Sequence, residues 1–200
     1  MRIVFGLVAV SSLTMAANAE VRPQYVSAAP IAYMVDMASG AVLLDKNSRR
    51  KIPPASMAKM MTTYVAFDLI TRGKLKPEQK FIVRPEIWKK WNNTGSTMFL
   101  KPNEKVSVQN LIHGVVTLSG NDAAVVLAEG IAGSEAEFVN QMNATARRIG
   151  MKDSQFGTAT GWPDEGKTLT TARDLALLGA RTIQDFPALY KQYDGQSAFR

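Results

Sequence analysis

The sequence predicts a mixed α/β (α+β) fold in which a two-stranded hairpin precedes a mostly helical body. Two short strand-like runs, Ala32–Asp36 and Val42–Lys46, flank a turn at Ser39-Gly40. After Pro53-Pro54, the segment Ala55–Ile70 has no glycine or proline and is apolar around most of its circumference, which predicts a helix buried on most sides. The 200 residues suffice for one domain with a hydrophobic core.

Three further helices have clear sequence signals. The first has one buried face at i, i+3 and i+4 spacing, and Ser107 can cap its start. The residues of that face are Val108, Leu111, Ile112, Val115 and Val116. The second opens on the capping-box pattern Ser134-Glu135-Ala136-Glu137 and ends at Gly150, and the third opens at Thr171. The segment Thr71–Lys105, punctuated by Gly, Pro and Asn, is expected to be irregular.

Composition excludes several classes of chemistry. The chain has no cysteine and one histidine, so disulfides, thiol nucleophiles and multi-histidine metal sites are excluded. That histidine, His113, lies at the edge of its helix's apolar face and is expected to be structural. The formal net charge is +7, but the Lys and Arg residues are scattered, which indicates a solvated surface rather than a nucleic-acid interface. Neither a cofactor nor a nucleic-acid partner is expected.

Residues 1–19 have the order of an export signal. A positive start, Met1-Arg2, is followed by an apolar run and by Ala17-Asn18-Ala19, a small-x-small cleavage site. The mature chain then begins at Glu20, and residues 20–30 form a tether before a domain over residues 31–200. The apolar run is too short to span a bilayer. The sequence therefore predicts an exported, periplasmic protein, associated with the inner membrane only through a C-terminal part absent from these residues.

Two Ser-x-x-Lys patterns are candidate nucleophile–base pairs. Ser48–Lys51 lies in a charged loop where nothing fixes the distance between hydroxyl and amine. Ser56 lies in the first turn of the predicted helix, where side chains at i and i+3 share one face. Lys59 has apolar neighbours, and burial would lower the pKa of its amine and make it a usable base. A narrow solvated stripe explains the spacing equally well; it would comprise Lys59, Thr62, Thr63 and Ala66.

Two further motifs lie in loops. Ser119-Gly120-Asn121 falls before a helix expected over Asp122–Glu129, so that a serine and an asparagine could point into a cleft as proton relay and hydrogen-bond partner. A glycine stop followed by a cap fits this spacing equally well. Gly161–Thr168 matches the phosphate-loop pattern, but no buried strand precedes it and the next helix begins late, at Thr171. Nucleotide binding is therefore disfavoured.

Five segments, in this order, resemble the serine D-alanyl-D-alanine carboxypeptidases, which are the low-molecular-mass penicillin-binding proteins. The central one is Pro54-Ala55-Ser56-Met57-Ala58-Lys59-Met60-Met61-Thr62. The others are Asp36–Gly40, Gly95–Pro102, Leu118–Ala123 and Thr171–Leu177, and the likeness covers about residues 31–200. This resemblance implies a β-lactamase/transpeptidase-like fold that is incomplete, since the C-terminal strands of its sheet are missing from these residues.

The resemblance also implies acyl transfer on the D-Ala-D-Ala end of peptidoglycan stem peptides. Ser56 would attack the carbonyl between the two D-alanines, with Lys59 as base. Ser119 would relay a proton to the departing D-alanine, and Asn121 would hold the peptide amide. Penicillins and other β-lactams resemble the substrate and would acylate Ser56. This chemistry needs no metal and no cofactor.

The sequence departs from the family pattern at one motif. The family's Lys-Thr-Gly strand, which faces the nucleophile and supplies part of the oxyanion hole, is not present, and Gly166-Lys167-Thr168 has the wrong order. Losing one oxyanion donor costs about 10²–10³ in rate, so these residues alone are expected to be weakly active or inactive. The alternatives are a class A-like β-lactamase, for which Glu165 is the candidate carboxylate, and a non-catalytic cell-wall-binding protein.

Overall fold

The computed structural model describes residues 25–193, and the predicted export signal and the first part of the tether lie outside this range. Both small sheets of that range have two strands. The elements are β1 Ala32–Val35, β2 Val42–Lys46, a 3-10 turn Ala55–Ala58, α1 Lys59–Thr71, β3 Lys80–Ile82, α2 Pro85–Trp91, β4 Lys105–Ser107, α3 Val108–Leu118, α4 Asn121–Ala132, α5 Glu135–Ile149, α6 Ala172–Asp185 and α7 Pro187–Tyr193. Among these helices, none combines the length and the apolar character that crossing a bilayer requires.

The predicted hairpin is present. Strands β1 and β2 pair antiparallel, with Met34 opposite Leu44. Gly40 has φ +72° and donates its N–H to the carbonyl of Asp36 at 2.8 Å, which closes the turn. Helix α6 packs on β1. The hairpin therefore covers one side of the helical body.

Helix α1 is the centre of the core. It is packed by α3, α5 and α6, and its side chains are buried around the whole circumference, as the sequence predicts. Met61, Tyr64 and Phe67 are each 2% exposed or less. The predicted start of this helix at Ala55 is wrong, because Ala55 has φ +49° and the chain makes a 3-10 turn before the α-helix begins at Lys59.

Three helix starts are confirmed by their caps. Ser107 Oγ accepts the N–H of Asn110 at 3.3 Å at the start of α3. Ser134 Oγ accepts the N–H of Glu137 at 3.2 Å at the start of α5. Thr171 Oγ1 accepts the N–H three residues on, at 3.1 Å, at the start of α6. Each hydroxyl satisfies a backbone donor that the first helical turn leaves unpaired.

The prediction of irregular chain over Thr71–Lys105 is wrong. This segment contains β3 and α2 and ends in β4. The two strands are three residues long, too short for an alternating pattern, and they pair across more than twenty intervening residues. The start of α2 did have a signal, Pro85 at its first position with Glu86 behind it. Helix α7 was not predicted, and α4 starts at Asn121, one residue earlier than expected.

Candidate active site

Ser56 and Lys59 meet where the 3-10 turn joins α1. Ser56 is exposed, whereas Lys59 is 4% exposed, and Lys59 Nζ lies 3.2 Å from Ser56 Oγ. The solvated-stripe interpretation is therefore wrong, because Thr62 and Ala66 are fully buried and Thr63 is 8% exposed. The two side chains share one face, one helical turn apart, as their spacing predicts.

Lys59 Nζ has two more partners, both distant in sequence. It donates to Asn121 Oδ1 at 2.8 Å and to the backbone carbonyl of Thr160 at 3.0 Å. Both oxygens belong to C=O groups, which accept hydrogen bonds and cannot donate them. The amine therefore donates to two oxygens that can only accept, and its third hydrogen-bonding direction faces the Ser56 hydroxyl.

This set of partners suits a neutral amine. A neutral lysine has two N–H groups and one lone pair, and the two carbonyl oxygens take the two N–H groups. The lone pair is then left pointing at Ser56 Oγ, where it can accept the hydroxyl proton. In the ammonium form, the third N–H donates to Ser56 Oγ instead.

The electrostatic environment favours deprotonation of Lys59. Burial lowers the pKa of the amine from 10.5 to about 8, since an ammonium is poorly solvated inside the protein. Within residues 25–193, no carboxylate lies within ion-pair distance of Lys59 to oppose this effect. At pH 7, about a tenth of the molecules then hold the amine neutral.

The chain around Thr160 is held against the start of α1. Thr62 Oγ1 donates to the Ala159 carbonyl at 2.7 Å, next to the carbonyl that Lys59 uses. Gly161 has φ +71°, and a Cβ at this position would lie 1.8 Å from the carbonyl oxygen of Ala55. Only glycine permits this approach. Sequence reasoning missed Thr160, because it contributes a peptide carbonyl, which every residue has.

The turn between α3 and α4 places Ser119 and Asn121. Ser119 ends α3 with φ +54°, and Gly120 donates its N–H to the Gly114 carbonyl at 3.0 Å. Asn121 is 3% exposed, and its side chain faces Lys59 rather than capping α4. Ser119 is partly buried, and within the described range its hydroxyl makes no hydrogen bond to Ser56 or Lys59. The structure thus joins Ser56, Lys59 and Asn121 by hydrogen bonds, whereas Ser119 lies two positions before Asn121 in the sequence and does not take part in them.

Residues 94–100 pass over Asn121. The backbone N–H of Asn121 donates to the Ser96 carbonyl at 2.8 Å. Its Nδ2 lies 3.5 Å from the Thr94 carbonyl. Gly95 sits against the amide, because an added Cβ would lie 2.9 Å from Asn121 Nδ2 and 2.7 Å from the ring of Trp162. This segment forms one wall of the site.

Within residues 25–193, the other sequence candidates make no hydrogen bond to Ser56 or Lys59. Ser48 is 2% exposed while its partner Lys51 is exposed, so they do not form a second pair. Glu165 is exposed and makes no hydrogen bond to Ser56 or Lys59. The described chain just before the phosphate-loop match has only an isolated β-bridge, at Gln155, and no strand. The next helix, α6, begins only at Ala172. The match therefore lacks the preceding strand and the adjoining helix that a phosphate loop requires.

His113 is also outside the site. Its ring packs on Tyr193 with 4.4 Å between ring centroids, and burial lowers the pKa of the imidazole. Both observations fit the structural role expected from its position. In residues 25–193 no cluster of three or more His, Asp or Glu side chains could hold a metal ion.

The family comparison agrees with this geometry. The profile of the D-alanyl-D-alanine carboxypeptidase family matches residues 16–199. The chain belongs to this family. Its match begins within the predicted export signal and runs through every element described above, so the likeness is not confined to the Ser-x-x-Lys motif.

Individual family members show how far the likeness extends. The D-alanyl-D-alanine carboxypeptidase DacC of Escherichia coli is 40% identical over 160 residues, which cover 78% of this chain and 40% of DacC. The crystal structure of DacD from Francisella tularensis has a TM-score of 0.80 at 37% identity and covers 86% of this chain and 41% of that one. This chain therefore spans well under half the length of these relatives.

A second solved structure concerns β-lactam binding. Penicillin-binding protein D2 from Listeria monocytogenes, solved in its ampicillin-bound form, has a TM-score of 0.72 at 26% identity, covering 85% of this chain and 67% of that one. These neighbours confirm the transpeptidase-like fold that the sequence resemblance implied.

Proposed function

We propose that this chain carries the nucleophile and general base of a serine-type D-alanyl-D-alanine carboxypeptidase that acts on peptidoglycan stem peptides and is acylated by penicillins. The observation that supports this most strongly is the arrangement at Lys59. Two carbonyl oxygens hold the amine so that, when neutral, its lone pair faces the exposed Ser56 hydroxyl. Family membership supplies the substrate class.

The proposed reaction has two acyl-transfer steps. Ser56 Oγ attacks the carbonyl carbon between the two D-alanines while its proton passes to Lys59 Nζ. Ser119 relays a proton to the nitrogen of the departing D-alanine as the C–N bond breaks, which leaves the peptidyl group esterified to Ser56. Water then hydrolyses the ester and restores the serine. A positioned base contributes about 10²–10⁴ to the rate of such a step.

Asn121 is proposed to have two partners: Lys59, through its Oδ1 atom, and the substrate, through its Nδ2 atom. Its Oδ1 is occupied by the amine at 2.8 Å, whereas its Nδ2 has only a long contact, 3.5 Å, to the Thr94 carbonyl. A contact at that distance is weak. Nδ2 can therefore exchange this long contact for a hydrogen bond to a carbonyl oxygen of the stem peptide.

We further propose that these 200 residues act slowly by themselves, because they contain no Lys-Thr-Gly motif. A β-lactamase function is not supported, since Glu165 makes no hydrogen bond to Ser56 or Lys59. A non-catalytic wall-binding function remains the alternative that an experiment must exclude.

Labelling with a fluorescent penicillin tests the proposal. The chain is incubated with the reagent, and the modified peptide is located by mass spectrometry. We expect slow labelling at Ser56, none in Ser56→Ala, and unchanged labelling in Ser48→Ala, which alters the other Ser-x-x-Lys pattern. A folded chain that stays unlabelled indicates a binding module, and one that consumes the drug catalytically indicates a β-lactamase; either result contradicts the proposal.

Export is proposed on the sequence pattern of residues 1–19. The complete chain is expressed in a Gram-negative host and the periplasmic fraction is analysed by N-terminal sequencing. We expect a mature product that begins at Glu20. Recovery of the chain in the cytoplasm with residues 1–19 retained would overturn export to the periplasm.

A further inference from the structure

A buried carboxylate lies directly after Asn121. Asp122 is 4% exposed, and within the described part of the chain it forms no ion pair with Lys or Arg. Its two oxygens accept four hydrogen bonds. Oδ2 accepts from Thr97 Oγ1 at 2.6 Å and from the N–H of Leu100 at 3.1 Å. Oδ1 accepts from the N–H groups of Met98 and Ala123, both at 2.8 Å.

Three of these donors belong to the segment that covers the site. Asp122 therefore ties residues 97–100 to the first turn of α4. A carboxylate is suited to this position, because it offers acceptor sites on both oxygens and no donor. Its charge is also favourable near the positive end of a helix. Four hydrogen bonds to one buried carboxylate make this a well-determined attachment.

Residues 94–96, which lead into the attached segment, help to orient the Asn121 amide. Two backbone carbonyls just before residue 97, those of Ser96 and Thr94, contact Asn121. Because the Thr94 oxygen can only accept, it faces the NH₂ group of Asn121. The Oδ1 atom is then on the opposite side, towards Lys59 Nζ. A reversed amide would set N–H against N–H at Lys59 and oxygen against oxygen at Thr94.

We propose that Asp122 is a positioning residue for the active site: it holds residues 94–100 in place so that Asn121 presents its Oδ1 atom to Lys59. Asp122 makes no hydrogen bond to Ser56 or Lys59 and acts through Asn121. This inference rests on the proposed function in which Lys59 is the base. It adds a residue to which the sequence analysis gave no role.

The substitution Asp122→Asn separates this role from simple packing. The asparagine amide has nearly the same shape as the carboxylate, but its NH₂ group would face N–H or O–H groups that now donate hydrogen bonds to Asp122. The attachment of residues 97–100 would then weaken, Asn121 would lose its fixed orientation, and we expect water to replace its Oδ1 atom beside Lys59. The groups that face Lys59 Nζ are Ser56, Asn121 and the Thr160 carbonyl. With no charged group among them, relief of desolvation predicts a rise in the pKa of Lys59 towards 10.5.

The test measures that titration without substrate, so it remains valid if the chain hydrolyses nothing. The protein is labelled with ¹³C-lysine and titrated by NMR, with Lys59→Arg used to assign the signal. The matched control is Asp174→Asn, which changes another buried carboxylate at a helix start. Asp174 is 5% exposed and accepts from the N–H of Asp153 at 3.0 Å and from Ser154 Oγ at 2.7 Å, at the first turn of α6.

We expect Asp122→Asn to raise the pKa of Lys59 by about one unit and Asp174→Asn to leave it unchanged while lowering stability. An unchanged Lys59 titration in Asp122→Asn overturns the proposal, and so does an equal shift in both variants, which would indicate general loosening. If Asp122→Asn does not fold, the pair Thr97→Val and Thr97→Ser decides. Only Thr97→Val removes the hydroxyl that donates to Asp122. A raised pKa of Lys59 in Thr97→Val but not in Thr97→Ser supports the positioning role of Asp122, and any other pattern refutes it.

Discussion

The proposed role of Lys59 as the base depends on the atoms that surround its amine rather than on a neighbouring charge. Two carbonyl oxygens hold the amine at 2.8 and 3.0 Å, and burial lowers its pKa to about 8. Such a group changes protonation state just above neutrality. In the proposed mechanism the neutral amine is the functional form, so its abundance should control the rate of serine attack.

The rate of penicillin acylation should therefore rise with pH through a midpoint of about 8 and level off above pH 9. Lys59→Arg should lower the rate by about 10²–10⁴, because a guanidinium stays charged and cannot accept the Ser56 proton. Stopped-flow or gel-based labelling rates between pH 6 and 10 measure both effects. A profile that is flat over this range, or one whose midpoint lies near 10.5, would contradict a buried lysine base.

At the residue scale, sequence patterns pointed to side chains of the candidate site and missed its backbone atoms. The Ser-x-x-Lys spacing and the Ser119-Gly120-Asn121 motif named Ser56, Lys59 and Asn121, which the structure brings together. Spacing alone left each motif balanced against a structural explanation. The contribution of Thr160 is a carbonyl oxygen, and nothing in its side chain indicates that Lys59 needs it. The same applies to the close approach of Gly161 to Ala55, which only the folded backbone reveals.

At the scale of elements, the segment around Gly161 acts as a brace for α1. Gly161→Ala should lower the free energy of unfolding by about 3 kcal/mol or more, because its Cβ would overlap the Ala55 carbonyl. The acylation rate should fall as well, since the Thr160 carbonyl must move. Chemical denaturation and labelling measure the two effects.

Gly166→Ala provides the control for this prediction. Gly166 lies in the same loop with φ +84°, but an added Cβ meets nothing within 4 Å. Alanine there should cost about 1 kcal/mol from backbone strain and leave labelling intact. Equal effects of the two substitutions would show that the loop needs flexibility rather than close contact.

Elements were predictable where local chemistry determines them. The caps at Ser107, Ser134 and Thr171 are short-range signals, and all three helices begin where those residues predict. Strands β3 and β4 are three residues long and are stabilised by pairing with each other and by the packing of β3 on α4 and of β4 on α3. Such elements depend on tertiary contacts, so a single sequence carries little trace of them.

At the scale of the whole molecule, Tyr64 links the central helix to α6. Its hydroxyl is 2.5 Å from Asp185 Oδ2, and the side chain is 1% exposed. Tyr64→Phe should lower the free energy of unfolding by about 1–2 kcal/mol at pH 7, because the hydrogen bond to the partly buried Asp185 carboxylate is lost while Arg181 still pairs with it. Tyr190→Phe, at a residue 41% exposed, should change it little. Equal losses in the two variants would argue against the link.

The same tyrosine predicts how stability changes in alkali. Burial and Asp185 raise the pKa of Tyr64 from 10.0 to about 12. A raised pKa in the folded state means that this contribution is complete below pH 10 and is lost as pH rises towards 12. Tyr64→Phe should therefore weaken the pH dependence of unfolding between pH 10 and 12, as measured by urea denaturation. An unchanged dependence would assign the alkaline transition to other groups.

The fold class was predictable because several motifs occur in one order, whereas the assembly of the site was not. Ser56 and Lys59 are neighbours in sequence, but the other two contacts of the amine span 62 and 101 residues. These distances close only when α4 and the chain before α6 pack on α1. Local patterns named the participants, and tertiary structure brought them together.

The peptide carbonyl at position 160 has an evolutionary consequence. A side chain that holds a base can be deleted by one codon change, but an amide oxygen survives every amino-acid replacement. A saturation-mutagenesis library should thus be intolerant at Lys59 and Asn121. At Thr160, which is 1% exposed and whose Oγ1 accepts the N–H of Trp162, it should accept the residues that fit this buried position. Replacing the Thr160–Gly161 amide by an ester, which weakens that oxygen as an acceptor, would reveal by chemical synthesis a dependence that genetics is unable to detect.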